Sequence, residues 1–260
     1  MTAVAAPIAV RAESIGKLYH IGAVPGSSTI YERAARVVGF NSGAPPRDED
    51  PTVWALRDIS FDVARGEVLG VLGRNGSGKT TLMKILARTT APTEGQAETY
   101  GRVAALLEVG TGFHPDLSGR DNIALSGAIL GMTRDEIKAA YDAIIDFAEI
   151  GRFLDTPVKH YSSGMYLRLA FSVSVHLAAE IMLIDEILAV GDAAFQQKCQ
   201  ERIRQTVATG RTVLFVSHSM VAVEALCDRA LVLDAGRIRY SGDTRTAIDF
   251  YTSEILKMGA

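Results

Sequence analysis

The chain has 260 residues, of which 48% are hydrophobic, and a formal net charge of −3. This length and composition allow one large domain with a full hydrophobic core, and the nearly balanced charge argues against a strongly basic surface for nucleic acid or anionic lipid. The two cysteines, Cys199 and Cys227, lack a metal-type spacing, so we expect reduced thiols and no disulfide.

The elements predicted before residue 110 are mostly strands. Alternating or continuously apolar side chains indicate strands at residues 8–19, 54–63, 67–73 and 103–108, with one helix over 78–88. The run at 67–73 is apolar almost throughout, which is typical of a parallel strand buried on both faces.

Residues 20–52 interrupt this pattern with a turn-rich segment that contains a short helical piece. Ile30, Ala34, Val37 and Val38 fall on one face of that piece. A connection of this length in a compact domain is usually functional or disordered, so we interpret it as an insert.

The middle of the chain predicts a helical insert over about 110–176. Helices fit residues 118–131 and 133–150, and the second opens with a capping box in which Thr133 and Glu136 satisfy the first amides reciprocally. The elements expected after the insert are strands at 181–185 and 212–217, helices at 192–207 and 219–227, a hairpin over 231–241 and a last helix at 244–257.

Residues 161–177 give two conflicting signals. From Leu167 onward the apolar and polar side chains alternate, which favours a strand, but the opening Ser-Ser-Gly suits the start of a helix. The run is long for a strand, and the residues that follow it make a poor hairpin turn. Both points favour a helix that begins near Ser163 and is buried on most sides, and the family resemblance given below, which implies a helix here, supports the same prediction.

Residues 73–80 match the phosphate-loop pattern G-x-x-x-x-G-K-[ST], between a predicted strand and a predicted helix. Backbone amides in such a loop converge on phosphate oxygens, Lys79 would contact the β- and γ-phosphates, and Thr80 would offer a hydroxyl to Mg²⁺. The pattern therefore predicts a nucleoside triphosphate site. Its residues are Gly73, Arg74, Asn75, Gly76, Ser77, Gly78, Lys79, Thr80 and Thr81.

Acidic and histidine side chains follow two later strands. Asp185 and Glu186 end one apolar run, and His218 follows the next. Ligands of open α/β sheets bind at the carboxyl ends of the strands. Asp185 is therefore a candidate Mg²⁺ ligand and Glu186 a candidate base for the attacking water, the alternative being a solvated strand end. A lone histidine is usually an ordinary surface or core residue. At the carboxyl end of a strand His218 would be able to reach a γ-phosphate oxygen, and this role depends on the resemblance given below.

In this order the motifs resemble those of the ATP-binding cassette ATPases. The segment 161–165 stands at the family's signature, usually Leu-Ser-Gly-Gly-Gln, and the resemblance implies contact with an ATP held by another subunit. The signature residues are Ser162, Ser163, Gly164 and Met165. The resemblance also assigns Asp192 to the D-loop, His218 to the switch histidine, and Tyr19, with Trp54 as the alternative, to the aromatic that stacks on adenine.

The resemblance implies an α/β fold in which a RecA-like core carries an antiparallel β-subdomain and the inserted helical subdomain, all within a single domain over 1–260. It implies a head-to-tail homodimer that holds two ATP molecules between its subunits. Glu186 and His218 would be catalytic. The expected Mg²⁺ ligands are Thr80, Asp185 and Glu108, the last standing at the position of the family's Q-loop glutamine.

Departures from the family pattern narrow the branch. Ser163, Met165 and Glu108, which replace a glycine and two glutamines, resemble the polysaccharide-exporter branch with its O-antigen and teichoic acid exporters. That branch implies ATP-driven export of a lipid-linked polysaccharide through an integral, Wzm-like membrane permease. The resemblance also implies a peripheral location at the cytoplasmic face of the bacterial inner membrane. No apolar run reaches the length of a membrane span, so we expect any membrane role to come through a partner. No nucleic-acid partner is expected.

The insert 20–52 stands where that branch has an extra loop and helix near the permease, and both a gate for the polymer and a surface helix remain open. We expect no C-terminal carbohydrate-binding domain in this chain. Three alternative functions also remain open: the ATPase of another transporter type such as an importer, a non-transport cassette protein, and a different phosphate-loop enzyme such as a small-molecule kinase. The last would not need the segment 161–165.

Overall fold

The structure, a computed structural model, describes residues 7–20, 52–106, 110, 112–185, 192–217 and 219–257. The predicted insert at residues 20–52 lies outside the described residues except for residues 20 and 52, which belong to strands. Glu108, Glu186 and His218 also lie outside them.

Three strands form an antiparallel sheet in the order β2-β1-β4. They are β1 Ile8–His20, β2 Thr52–Ala64 and β4 Glu94–Thr99. The first two were predicted by their alternation. The third, with the sequence EGQAET, was missed because its side chains are exposed or half-buried and almost all polar, so it has no apolar face to give a pattern. It is recognised only by its pairing with β1.

A six-stranded sheet in the order β5-β6-β7-β3-β8-β9 forms the centre of the protein. Its strands are β3 Val68–Gly73, β5 Val103–Leu106, β6 Ile181–Ile184, β7 Thr212–Val216, β8 Arg229–Asp234 and β9 Arg237–Asp243. All neighbours are parallel except the β8–β9 hairpin. Every residue of β3, β6 and β7 is buried, which explains their unbroken apolar runs. The carboxyl ends of the parallel strands share one edge of the sheet.

The helices are α1 Lys79–Leu86, α2 Gly119–Ile129, α3 Arg134–Ala148, α4 Ser163–Val175, α5 Ala193–Ala208, α6 Met220–Leu226 and α7 Thr244–Phe250. The predicted last helix at 244–257 was only partly right, because a π-helical turn, Tyr251–Ile255, replaces its second half. This wider turn keeps Tyr251 and Ile255 both buried against the core.

Helices α2, α3 and α4 pack around their own apolar cluster, which includes Ile123, Ile144, Leu169 and Val173. The predicted capping box at the start of α3 is confirmed, with Thr133 and Glu136 bonded reciprocally. The conflict over residues 161–177 resolves as a helix that starts at Ser163. All seven residues from Leu169 to Val175 are buried, so the alternation in sequence does not reflect an exposed face.

This helical region is tied to the central sheet by the arginine that directly precedes β5. Arg102 donates to the Glu136 carboxylate at 2.7 Å and also bonds the Gly131 carbonyl oxygen. Glu136 accepts from the Thr133 amide as well. The Arg102 guanidinium and the Thr133 amide lower the pKa of Glu136 to about 2. The domain boundaries themselves, and the expected lack of a carbohydrate-binding domain, stay predictions.

Candidate nucleotide site

The loop 73–78 connects β3 to α1, and its shape depends on glycine at two positions. Gly76 and Gly78 have φ values of +78° and +106°, in the left-handed region that side chains disfavour. A Cβ on Gly78 would also lie 2.5 Å from the Ala55 carbonyl oxygen. The glycines therefore permit both the turn and the close approach of β2 to the loop.

The amino end of α1 opens into a cleft. Its N-cap is Gly78, which provides no side-chain acceptor, so the first helical amides lack both an intrahelical partner and a side-chain cap. The cleft has a volume of about 560 Å³. It is lined by Ala55, Asn75, Gly76, Gly78, Lys79, Thr80, Thr81 and Asp185. An uncapped helix start of this kind is suited to an anion such as a phosphate.

Lys79 is the cation of this cleft. Its side chain is buried, and its Nζ donates to the carbonyl oxygens of Gly73 at 2.7 Å and Arg74 at 2.9 Å. Burial lowers the pKa of Lys79, and the nearby Asp185 carboxylate opposes that shift. The loop thus fixes the ammonium group within the cleft and leaves one of its three donors for a ligand.

Thr80 and Asp185 bring a hydroxyl and a carboxylate to the same cleft. Asp185 follows β6, two strands away from β3 in the sheet, so the parallel topology brings together residues more than a hundred positions apart. Oxygen donors of these types suit Mg²⁺, which typically takes one or two carboxylates and completes its shell with water and phosphate oxygens. Within the described part of the chain, no group of three His, Cys, Asp or Glu residues surrounds a metal-sized space.

The two candidates for the adenine-stacking aromatic lie at the end of the antiparallel sheet. Tyr19 is 40% exposed, and the Lys17 Nζ lies 5.3 Å from its ring centre. Trp54 precedes the cleft residue Ala55, and the Arg57 guanidinium lies 4.9 Å from its ring centre. The greater exposure of Tyr19 leaves more of its ring free to stack, but the choice between the two stays a prediction.

The predicted signature residues line a second cleft, of about 430 Å³, at the amino end of α4. Its lining residues are Glu149, Ile150, Ser162, Ser163, Gly164, Met165, Leu167, Arg168 and Asp192. Ser162 is the N-cap of α4, and its Oγ accepts from the Met165 amide at 3.2 Å. The hydroxyl of Ser162 therefore caps its own helix, and helix geometry leaves the amides of Ser163 and Gly164 for an outside acceptor.

Asp192, predicted as the D-loop residue, is the N-cap of α5. Its Oδ1 accepts from the Phe195 amide at 2.9 Å, and its Oδ2 accepts from the Arg168 guanidinium. Both contacts lower the pKa of Asp192, the amide bond being the larger cause. Sequence reasoning did not single out Arg168. Its position three residues after Met165, on the same face of the predicted helix, was the signal that could have found it.

The sequence profile described as ABC transporter matches residues 56–189. The chain is 47% identical over 197 residues to the O-antigen export system ATP-binding protein RfbB of Klebsiella pneumoniae, with 76% of this chain and 80% of that protein covered. It is 43% identical over 204 residues to the teichoic acids export ATP-binding protein TagH of Bacillus anthracis, with 78% of this chain and 37% of that protein covered.

Solved structures share the fold at low sequence identity. One, the ATP-binding subunit of an ABC transporter, superimposes with a TM-score of 0.70 at 20% identity, covering 97% of this chain and 95% of that chain. Another, a dimeric ATP-binding cassette in a post-hydrolysis state with ADP and Pi, gives a TM-score of 0.70 at 18% identity, covering 91% and 99%. The predicted fold class is confirmed, and the chain belongs to the ABC transporter family.

Proposed function

We propose that this chain is the ATP-hydrolysing subunit of an ABC exporter that moves a lipid-linked polysaccharide across the cytoplasmic membrane. The observation that carries the proposal is the cleft at the carboxyl edge of the central sheet, in which a buried lysine, an uncapped helix start and Asp185 converge. These are the groups that phosphoryl transfer from ATP requires.

In this proposal the phosphate loop holds the triphosphate. The uncapped amides of α1 receive phosphate oxygens, and the remaining Lys79 donor contacts the β- and γ-phosphates. Thr80 and Asp185, with Glu108 as the third predicted ligand, would hold Mg²⁺ directly or through water. When bound, the ion supplies charge neutralisation on the phosphate oxygens.

Glu186 and His218 complete the proposed chemistry, although both lie outside the described residues. Glu186 directly follows Asp185 in the chain, and His218 directly follows Ser217, the residue after β7. Glu186 would accept a proton from the water that attacks the γ-phosphorus, and His218 would donate to a γ-phosphate oxygen. Such transfer depends mainly on positioning and on neutralising charge.

The signature cleft is the other half of the proposed site. It offers the amides of Ser163 and Gly164 but has no loop lysine of its own, and its arginine is engaged by two carboxylates. We infer that it completes the ATP site of a second copy of this chain, in a head-to-tail homodimer that closes on ATP and opens after hydrolysis.

Export of a polysaccharide is proposed from the relatives. The two relatives described above are by name ATP-binding proteins of O-antigen and teichoic acid export. None of the helices in the described ranges is long and apolar enough to cross a membrane. From the export role in the relatives' names, the proposal includes an integral, Wzm-like permease, with this chain on the cytoplasmic face of the inner membrane.

Two measurements test the proposal. The first is Mg²⁺-dependent ATP hydrolysis by the purified chain, which should be lost in Lys79→Ala. The second is affinity purification of the tagged chain from detergent-solubilised membranes, which should recover an integral membrane protein. In the presence of that protein, the rate of ATP hydrolysis should change when lipid-linked glycan is added. Recovery of a permease that works only with an external binding protein would favour an importer and would contradict the export assignment.

A further inference from the structure

Arg168 forms a bridge in the wall of the signature cleft that neither the phosphate chemistry nor the helix cap requires. Its side chain is 20% exposed. One guanidinium nitrogen, Nη1, lies 3.0 Å from Glu149 Oε2, and the other, Nη2, bonds Asp192 Oδ2. The guanidinium carbon also lies 5.0 Å from the ring centre of Phe195. The side chain is thus held from three directions.

The bridge joins three segments that are distant in the chain. Glu149 is the C-cap of α3, in a left-handed conformation with φ of +58°. Arg168 lies one turn into α4, behind the signature turn. Asp192 starts α5, which packs on the central sheet. A single guanidinium therefore sets the position of the signature turn relative to the residue predicted as the D-loop aspartate.

The bridge adds little to the stability of the fold. The carboxylate side chains of Glu149 and Asp192 are 53% and 61% exposed, and ion pairs to exposed acids stabilise proteins only slightly. The cap of α5 does not depend on it either, because Asp192 Oδ1 accepts from the Phe195 amide separately. What the bridge fixes is geometry, and geometry matters for groups that must meet a ligand together.

We propose that Arg168 is a positioning residue that locks the signature turn to Asp192, so that both approach the second subunit's ATP as one rigid unit. This inference rests on the proposed function, since it concerns the composite ATP site. In a dimer that closes on ATP, loss of the Arg168 bridge would let the signature turn and Asp192 move independently, so that they no longer reach the second subunit's ATP in the correct relative position. Turnover then falls, while binding of ATP to the phosphate loop of the same chain does not change.

The chain offers a matched control for this bridge. Lys198 donates to Glu149 Oε1 at 2.8 Å and to the Phe147 carbonyl oxygen at 3.1 Å. Lys198→Met removes a cation from the same acid and from the same surface without touching Asp192. Arg168→Met removes the bridge and keeps an apolar side chain of similar length against Phe195. Asp192→Asn removes the charge but keeps an oxygen that caps α5.

The experiment measures kcat for ATP, the equilibrium dissociation constant for ATP with Mg²⁺, and the thermal midpoint in full-length chains. We expect Arg168→Met and Asp192→Asn each to lower kcat about 10-fold or more, with ATP affinity and thermal midpoint unchanged. The double variant, Arg168→Met with Asp192→Asn, should have a kcat no lower than that of the slower single variant, because both substitutions remove the same contact. Arg168→Lys, which keeps the charge and reaches one acid at a time, should recover part of the rate, and Lys198→Met should retain it.

Three outcomes would overturn the inference: a wild-type kcat in Arg168→Met, an equal loss of kcat in Lys198→Met, or fully multiplicative losses in the double variant. None of them would contradict the proposed ATPase function, because the wild type would still hydrolyse ATP. Absence of Mg²⁺-dependent hydrolysis in the wild type itself would overturn the proposed function together with the inference. If Arg168→Met fails to fold, Arg168→Lys provides the test instead, because a lysine cannot bridge both acids. A kcat of Arg168→Lys equal to that of the wild type would count against a positioning role.

Discussion

The phosphate loop and the signature turn are both helix starts rich in small residues, but they are built in opposite ways. The phosphate loop needs glycine at positive φ, has no side-chain cap and contains its own buried cation, Lys79. The signature turn has an ordinary backbone at Gly164, a serine cap at Ser162 and no cation in the turn itself. The phosphate loop has the groups to hold a phosphate by itself, whereas in the proposed function the signature turn receives its ligand from another chain.

Turnover should be most sensitive to loss of the proposed base, Glu186. Glu186→Gln should reduce kcat by about 10²- to 10⁴-fold, since a positioned general base contributes that much. Binding of ATP should persist, because the loop amides and Lys79 are unchanged. Single-turnover hydrolysis and equilibrium ATP binding measure the two effects separately, and wild-type turnover in this variant would remove Glu186 from the mechanism.

A smaller loss is expected in ATP affinity when the cation is removed. Lys79→Ala deletes a charged hydrogen bond to phosphate, which contributes about 1.5–3 kcal/mol, or roughly 10- to 160-fold in the dissociation constant. Lys84→Ala, a change to a lysine in the last turn of the same helix, is the control. Equal ATP affinity in Lys79→Ala and the wild type would contradict the phosphate-loop assignment.

The two turns should also differ in how they tolerate a methyl group. Gly78→Ala combines a positive φ with a 2.5 Å contact to Ala55, and should destabilise the fold by about 3 kcal/mol. Gly76→Ala meets the same strain with nothing within 4 Å, and should cost about 1–2 kcal/mol. Gly164→Ala adds a methyl group at a helix start, where the nearest atom is Ser162 Oγ at 3.9 Å, and should change stability by less than about 1 kcal/mol.

Denaturant unfolding of the three variants measures this order directly. A destabilisation in Gly164→Ala as large as that in Gly78→Ala would show that the signature turn is as constrained as the phosphate loop, and would remove the contrast between them.

The smallest effect concerns the junction that supports the signature region. The folded pKa of Glu136 is about 2, below the ordinary value of 4.5, because Arg102 and the Thr133 amide bind its ionised form. A depressed pKa contributes stability that is fully present above pH 4.5 and is lost as the pH falls toward 2. The stability gap between the wild type and Glu136→Gln should therefore narrow over this range.

Thermal midpoints measured from pH 6 down to pH 3 test this sign, with Asp135→Asn, in the same first turn of α3, as the control. A gap between the wild type and Glu136→Gln that widens on acidification would contradict the ion pair.

The sequence was most informative where burial on both faces or a helix cap imposed a pattern. The apolar runs of β3, β6 and β7 and the capping box at Thr133 were all recognisable for this reason. The polar strand β4 and the π-helical turn after Phe250 were not, because pairing and packing decide them and neither imposes a local pattern. Likewise Asp192 was predicted from motif order, but its contact with Arg168 depends on how α4 meets α5.

The central claim is that the phosphate loop of one chain and the signature turn of another make one ATP site. It is tested most directly by mixing two variants in a Glu186→Gln background: Lys79→Ala, which lacks the loop cation, and Gly164→Asp, whose carboxylate repels the second chain's triphosphate. Gly164→Asn is the neutral control. Either variant alone should fail to retain ATP through gel filtration, and an equal mixture should regain about one quarter of the sites, since half of the dimers then contain one intact site. Retention by the mixture no greater than the mean of the two variants would contradict the shared site.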